Sequence, residues 1–152
     1  MGRRDTASLM IEPTTPDPVE LTQLFSEVMD RELDFDALAG SFAPDAVWDL
    51  SGSHLGIHMG ATAIRDFLAG YWATWEDHRH EVEEVLDFGN GVLSVAIHED
   101  GCPRGTDARV QARHLQVFEW DQREINRIAG HPNIDDVRAA AERLAEDRGG
   151  GV

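Results

Sequence analysis

Lysine is absent from the 152 residues, cysteine occurs once, and no apolar run approaches the ~20 residues that a membrane helix needs. Every one of the 13 basic residues is therefore an arginine, set against 29 acids for a net charge of −16. Binding a polyanion requires clustered cations to neutralise phosphates, and only Arg3–Arg4 are adjacent, so neither nucleic acid nor an anionic membrane is expected as a partner. A lone Cys102 cannot form an internal disulfide, and nothing at the N-terminus has the apolar core of a signal peptide. The expectation is a soluble cytoplasmic protein. With 41% hydrophobic residues, there is enough apolar material for one core.

Residues 1–16, with Pro13 and Pro16, read as a flexible leader, residues 17–146 as the domain, and residues 147–152, with three consecutive glycines, as a loose tail. Within the domain, Pro18 followed by Leu21, Leu24, Phe25 and Val28 gives one apolar helical face. Asp36–Phe42 reads as a short second helix ended by Pro44, and Ala46–Leu50 as a short strand before a Gly/Ser/His-rich loop over 51–60. A third helix over 61–75 carries Ile64, Phe67, Leu68, Tyr71, Trp72 and Trp75 on one broad face. Long strands follow over 80–88, 92–99, 107–121 and 124–131, separated by turn chemistry such as Gly89-Asn90-Gly91. A final short helix over 134–145 has Asn133 as its cap and two acids in its first turn.

Helices followed by a meander of strands define an α+β class. The segments Phe42-Ala-Pro-Asp-Ala-Val-Trp-Asp, Gly60-Ala-Thr-Ala-Ile-Arg-Asp-Phe67, Val85-Leu-Asp-Phe-Gly-Asn-Gly-Val92 and Asp121-Gln-Arg-Glu-Ile125, through to His131-Pro-Asn, occur in an order that resembles a SnoaL-like domain of the nuclear transport factor two-like superfamily. The resemblance implies a cone: a curved antiparallel sheet with three N-terminal helices on its concave face. It implies a pocket at the open end and says little about a reaction.

Strand period two sends Trp48 and Leu50 to the pocket and Asp49 to the opposite face, with Leu50 standing where related ketosteroid isomerases carry their base. A one-residue slip would exchange these faces, which keeps Asp49 as a candidate base. If Leu115 and Val117 face the helices, Arg113 lies with them at the mouth, where it could clamp an anion or form a structural ion pair. His131, at the rim, is a candidate acid or base, or simply fills an aromatic's place. The candidate catalytic set is thus Asp49, Arg113 and His131, with Trp48, Leu50, Tyr71, Trp75 and Leu115 as ligand-lining residues.

That register places His114, Gln116, Phe118 and Trp120 on the outer sheet face, an aromatic stripe suited to a homodimer. His78-Arg-His80 with Glu84 follows the first half of a cupin metal motif, but the second half fails and the helical first half of the chain does not fit that fold. No metal and no organic cofactor are expected. Two functions stay open: a cofactor-independent isomerase, cyclase or hydrolase acting on a hydrophobic polycyclic or aromatic molecule, or a non-catalytic ligand-binding or dimeric assembly module.

Overall fold

A computed structural model describes residues 17–32 and 34–150; the leader expected over residues 1–16 lies outside the described residues. The first helix, α1 (Pro18–Glu27), starts where Asp17 accepts a hydrogen bond from the Val19 amide at 3.0 Å and Pro18 supplies a preformed first turn. It runs on into a π-helical turn, Val28–Glu32. Helix α2 (Phe35–Ala39) is capped by Asp34, and α3 spans Ala61–Ala73. The strands are β1 (Phe42–Leu50), β2 (Gly56–Met59), β3 (Trp75–Gly89), β4 (Val92–Pro103), β5 (Val110–Asp121) and β6 (Glu124–His131), and α4 (Ile134–Gly150) follows.

These strands form one curved six-stranded sheet in the order β2-β1-β6-β5-β4-β3. Every neighbouring pair is antiparallel except β1 and β6, which run parallel. Helices α1 to α3 cover one face, burying Phe25, Trp48, Ile64, Leu68, Trp72, Val95, Phe118 and Trp120 in a single cluster. Helix α4 covers part of the other face, where Val137, Ala140 and Ala141 meet Val92 and Val117. Among the described residues, no helix is long and apolar enough to cross a membrane.

Several elements differ from the sequence reading. The segment expected as loop over 51–60 contains β2, which pairs with β1 from Leu50↔Gly56 to Val47↔Met59 and supplies the sheet edge. Trp75 begins β3 instead of ending α3. Helix α4 is not short, because its glycine-rich end is tied down: the Arg148 guanidinium donates to the Trp120 carbonyl at 2.8 Å, and the Asn90 amide donates to the Ala145 carbonyl at 2.8 Å. Nearby, Gly91 has φ +81° and a Cβ there would collide with the Trp120 carbonyl, so both the turn and the close strand approach require glycine.

The largest correction concerns β5. Gln116, Phe118 and Trp120 face the helices and are buried, and Trp120 Nε1 donates to Thr22 Oγ1 at 2.9 Å. The stripe assigned to an exposed outer face is therefore filled from within the chain. Leu115 and Val117 point to the α4 side instead. Both faces of β5 are covered by helices, so its apolar alternation has no solvent side from which to read its sign.

Candidate functional site

The inward residues of β4 alternate Leu93, Val95, Ile97 and then Glu99, a carboxylate at a core position that is 2% exposed. Strands β3 and β5 flank it and contribute histidines, and α3 contributes the single tyrosine. His78 Nε2 lies 2.6 Å from Glu99 Oε2, His114 Nε2 lies 2.7 Å from Oε1, and the Tyr71 hydroxyl donates to Oε1 at 3.0 Å. Burial pushes the Glu99 carboxyl up, but the hydrogen bonds from His114 and His78 outweigh it and hold the group well below the usual carboxylate range. An ionised carboxylate only accepts, so both imidazoles present Nε2–H to it, leaving their Nδ1 atoms for other work. Burial and the Glu99 charge push the Tyr71 phenol upward, which keeps it a donor.

Aromatic rings enclose this cluster. His78 is stacked on Trp75 with centroids 4.8 Å apart and lies 4.6 Å from Trp72. Its Nδ1 is buried without a partner. His80, the second inward residue of β3, is pushed down by burial to about 4 and is neutral at physiological pH.

Two adjoining spaces reach the cluster. A narrow slot of about 30 Å³, lined by Trp48, Leu50, Phe67, Tyr71, Trp72, His80, Glu99, His114 and Gln116, runs between α3 and the sheet. A wider cleft of about 200 Å³ opens at the end of β6, lined by Arg113, Leu115, Gly130, His131 and Pro132. Leu50, His114 and Gln116 line both. A roomier depression of about 570 Å³ lies between α1 and β3. Its Asp30 already accepts from Arg79 and from the His80 amide, and the depression does not reach Glu99, so the slot and cleft are the better candidate site.

The structure places the predicted residues unevenly. Trp48, Leu50 and Tyr71 line the slot, whereas Trp75 stands behind it against His78. Leu115 belongs to the cleft and to the α4-side core. Asp49 is turned away: it accepts from the Ser51 hydroxyl at 2.6 Å and the Ser51 amide at 3.0 Å, bonds that lower its pKa, and it meets Arg127 at 3.2 Å. Arg113 and His131 do share the cleft, but Arg113 Nε is held by Glu83 at 3.0 Å in an exposed pair. Burial lowers the His131 pKa.

Asp49 does not line the cleft that Arg113 and His131 share. The cupin-like trio also fails to assemble, since Glu84 pairs with Arg138 of α4 while His78 and His80 face inward. Among the described residues, no group of three His, Cys, Asp or Glu side chains is placed to hold a metal. The sequence reading missed Glu99 and put His114 on the wrong face. Its signal was parity: Glu99 continues the alternation of Leu93, Val95 and Ile97.

A mixed six-stranded sheet curved over helices α1 to α3 is a nuclear transport factor two-like, ketosteroid isomerase-like fold. The chain belongs to the SnoaL-like domain family, whose sequence model matches residues 22–131. No curated protein matches it. Among solved structures, it is similar to a hypothetical protein with a ketosteroid isomerase-like fold from Catenulispora acidiphila, in complex with trimethylamine. That pair has 17% identity and a TM-score of 0.64, covering 84% of this chain and 94% of that one. A putative polyketide cyclase from Xanthomonas campestris has 19% identity and a TM-score of 0.61, covering 80% and 94%. TerC, co-crystallised with polyporic acid, has 15% identity and a TM-score of 0.62, covering 83% and 98%. At these identities the likeness shows the fold.

Proposed function

We propose that this protein is a cofactor-independent acid–base enzyme acting on a small cyclic, largely apolar molecule, with His114 carrying the proton. The carrying observation is that His114 donates Nε2–H to the buried Glu99 while lining both the slot and the outer cleft. A carboxylate so placed fixes the imidazole tautomer and stabilises the imidazolium that forms when Nδ1 takes a proton. The cleft of about 200 Å³ beside His114 has room for a ring, and the names of neighbours such as the putative polyketide cyclase agree with that substrate class. The free thiol of Cys102 supports a reducing, cytoplasmic setting.

The first test is proton exchange on an enolisable bicyclic ketone, 2-tetralone, followed in deuterated buffer by NMR. The expected result is exchange accelerated by the wild-type protein and reduced by about 10²-fold or more in His114→Ala. Equal rates for the two proteins would overturn the assignment of His114.

A second reading, a pocket that binds without reacting, draws on Arg113. Its tie to Glu83 leaves the cleft's guanidinium occupied rather than free to stabilise an enolate. Binding of the ketone without any exchange would favour it.

A further inference from the structure

Three buried polar atoms among the described residues lack a hydrogen-bond partner and belong to side chains that line the slot: Trp48 Nε1, Gln116 Oε1 and His80 Nδ1. Trp48 and Gln116 are 5% and 4% exposed, so bulk water does not satisfy them. Leaving a buried donor or acceptor unmade is costly, and native interiors rarely tolerate several in one place. The indole can only donate and the amide oxygen can only accept. One group satisfies both at once: an oxygen that carries a hydrogen and also has a free lone pair.

The charge of that group is constrained by the same geometry. Glu99 lines the slot as a carboxylate, and no arginine lines it, so an anionic oxygen would be repelled with nothing to compensate. Room for the group is about 30 Å³, close to the share of one hydroxyl, while the adjoining cleft of about 200 Å³ accommodates a six-membered ring. Gln116 lines both spaces, so a ring in the cleft would reach the slot through its substituent.

We infer that the slot is a recognition site for a neutral hydroxyl on a flat ring, with Trp48 Nε1 donating to the hydroxyl oxygen and Gln116 Oε1 accepting its proton. The inference rests on the slot and cleft being the ligand site, and it specifies the substrate class as a phenol- or enol-bearing ring. His80, neutral and lined up on the same slot, accepts the hydroxyl proton as the alternative partner.

The test compares phenol with toluene, which replaces the hydroxyl by a methyl group of similar size. Titrations are followed through the Trp48 indole N–H resonance, identified by its loss in Trp48→Phe. Phenol is expected to bind at least about 10-fold more tightly than toluene and to move that resonance downfield, since a site built around a hydroxyl discriminates against the analogue lacking it. In Gln116→Leu the preference should fall to about 2-fold or less, and Trp48→Phe, which lacks the reporting resonance and is titrated through broadening of the ligand signals, should reduce it independently should the first variant not fold.

Equal exchange rates for the wild-type and His114→Ala proteins, with the wild-type preference for phenol intact, would overturn the acid–base reading alone, which separates it from ligand recognition. Equal binding of the two compounds by the wild-type protein, or an unmoved indole resonance, would mean that the slot's polar atoms are served by water alone and would overturn the inference. Failure of phenol to bind would overturn it as well.

Discussion

Arg113 and His114 are neighbours on β5, yet they show two different ways in which this sheet handles charge. Arg113 turns outward to Glu83 in a pair whose side chains are 54% and 41% exposed. His114 turns inward to Glu99, whose side chain is 3% exposed. The outward pair is screened by water and contributes little; the inward cluster has surrendered its hydration and depends on every hydrogen bond being made. Position in the pleat alone decides which regime a residue enters. The chemistry follows from that, because only the inward group has its tautomer and surroundings fixed.

Glu99→Leu should break the inward cluster most severely. It strands two imidazole N–H groups and the Tyr71 hydroxyl, with an expected loss of about 4 kcal/mol and a fall of roughly 10 °C in melting temperature by calorimetry. A loss below about 1 kcal/mol would mean that the two environments differ far less than their geometry indicates.

Acid sharpens the same contrast. His80 is depressed from 6.5 to about 4, so the unfolded chain binds the extra proton first. The stability this neutral histidine contributes is complete above about pH 6.5 and drains away as the pH falls toward 4, by about 3 kcal/mol if the shift is realised in full. Glu99, depressed from 4.5, adds stability that is present above that value and is lost at still lower pH. Melting temperatures recorded from pH 8 to 4 should fall through that window, and His80→Leu should flatten the upper part of it.

The smallest effect is expected from Arg113→Met, at no more than about 0.5 kcal/mol in urea unfolding, since an exposed pair is all it removes. A loss above 2 kcal/mol would make Arg113 a structural strut after all.

How much of this was legible in the sequence varies with the strand. On β1 a period of two correctly sent Trp48 and Leu50 inward and Asp49 outward, because few residues intervene and one face is distinctly more apolar. The same reasoning inverted β5: Leu115 and Val117 are as apolar as Phe118 and Trp120, and α4 gives them a core of their own. Six consecutive residues of β4, Val92 to Ile97, are buried, so burial does not distinguish its faces, and only the size alternation of Leu93, Val95 and Ile97 with Ser94 and Ala96 marks the side that Glu99 continues. Irregular pairing between Val82 and Glu84 on β3 likewise breaks the parity that would otherwise keep Glu84 on the face of His78 and His80. The helices and the run of long strands β3 to β6 were legible because they follow local chemistry, whereas β2 and the parallel join of β1 to β6 were not. The acid–histidine cluster was not, because four side chains from four elements meet only after the sheet has closed.

That closure has a consequence for how the chain is made. The parallel ladder joins β1 to β6, pairing Phe42 with Ile125 and Asp49 with Ala129. On a ribosome emitting the chain from its N-terminus, β1 has only the short β2 as a partner until some eighty further residues have emerged. Trp48 and the apolar faces of α1 and α3 wait with it. Contacts so distant along the chain pay their loop-closure entropy late, and nascent segments with exposed apolar faces are open to wrong partners in the interval. The excess of acids over bases carried by this chain gives such intermediates a mutual repulsion for as long as that wait lasts.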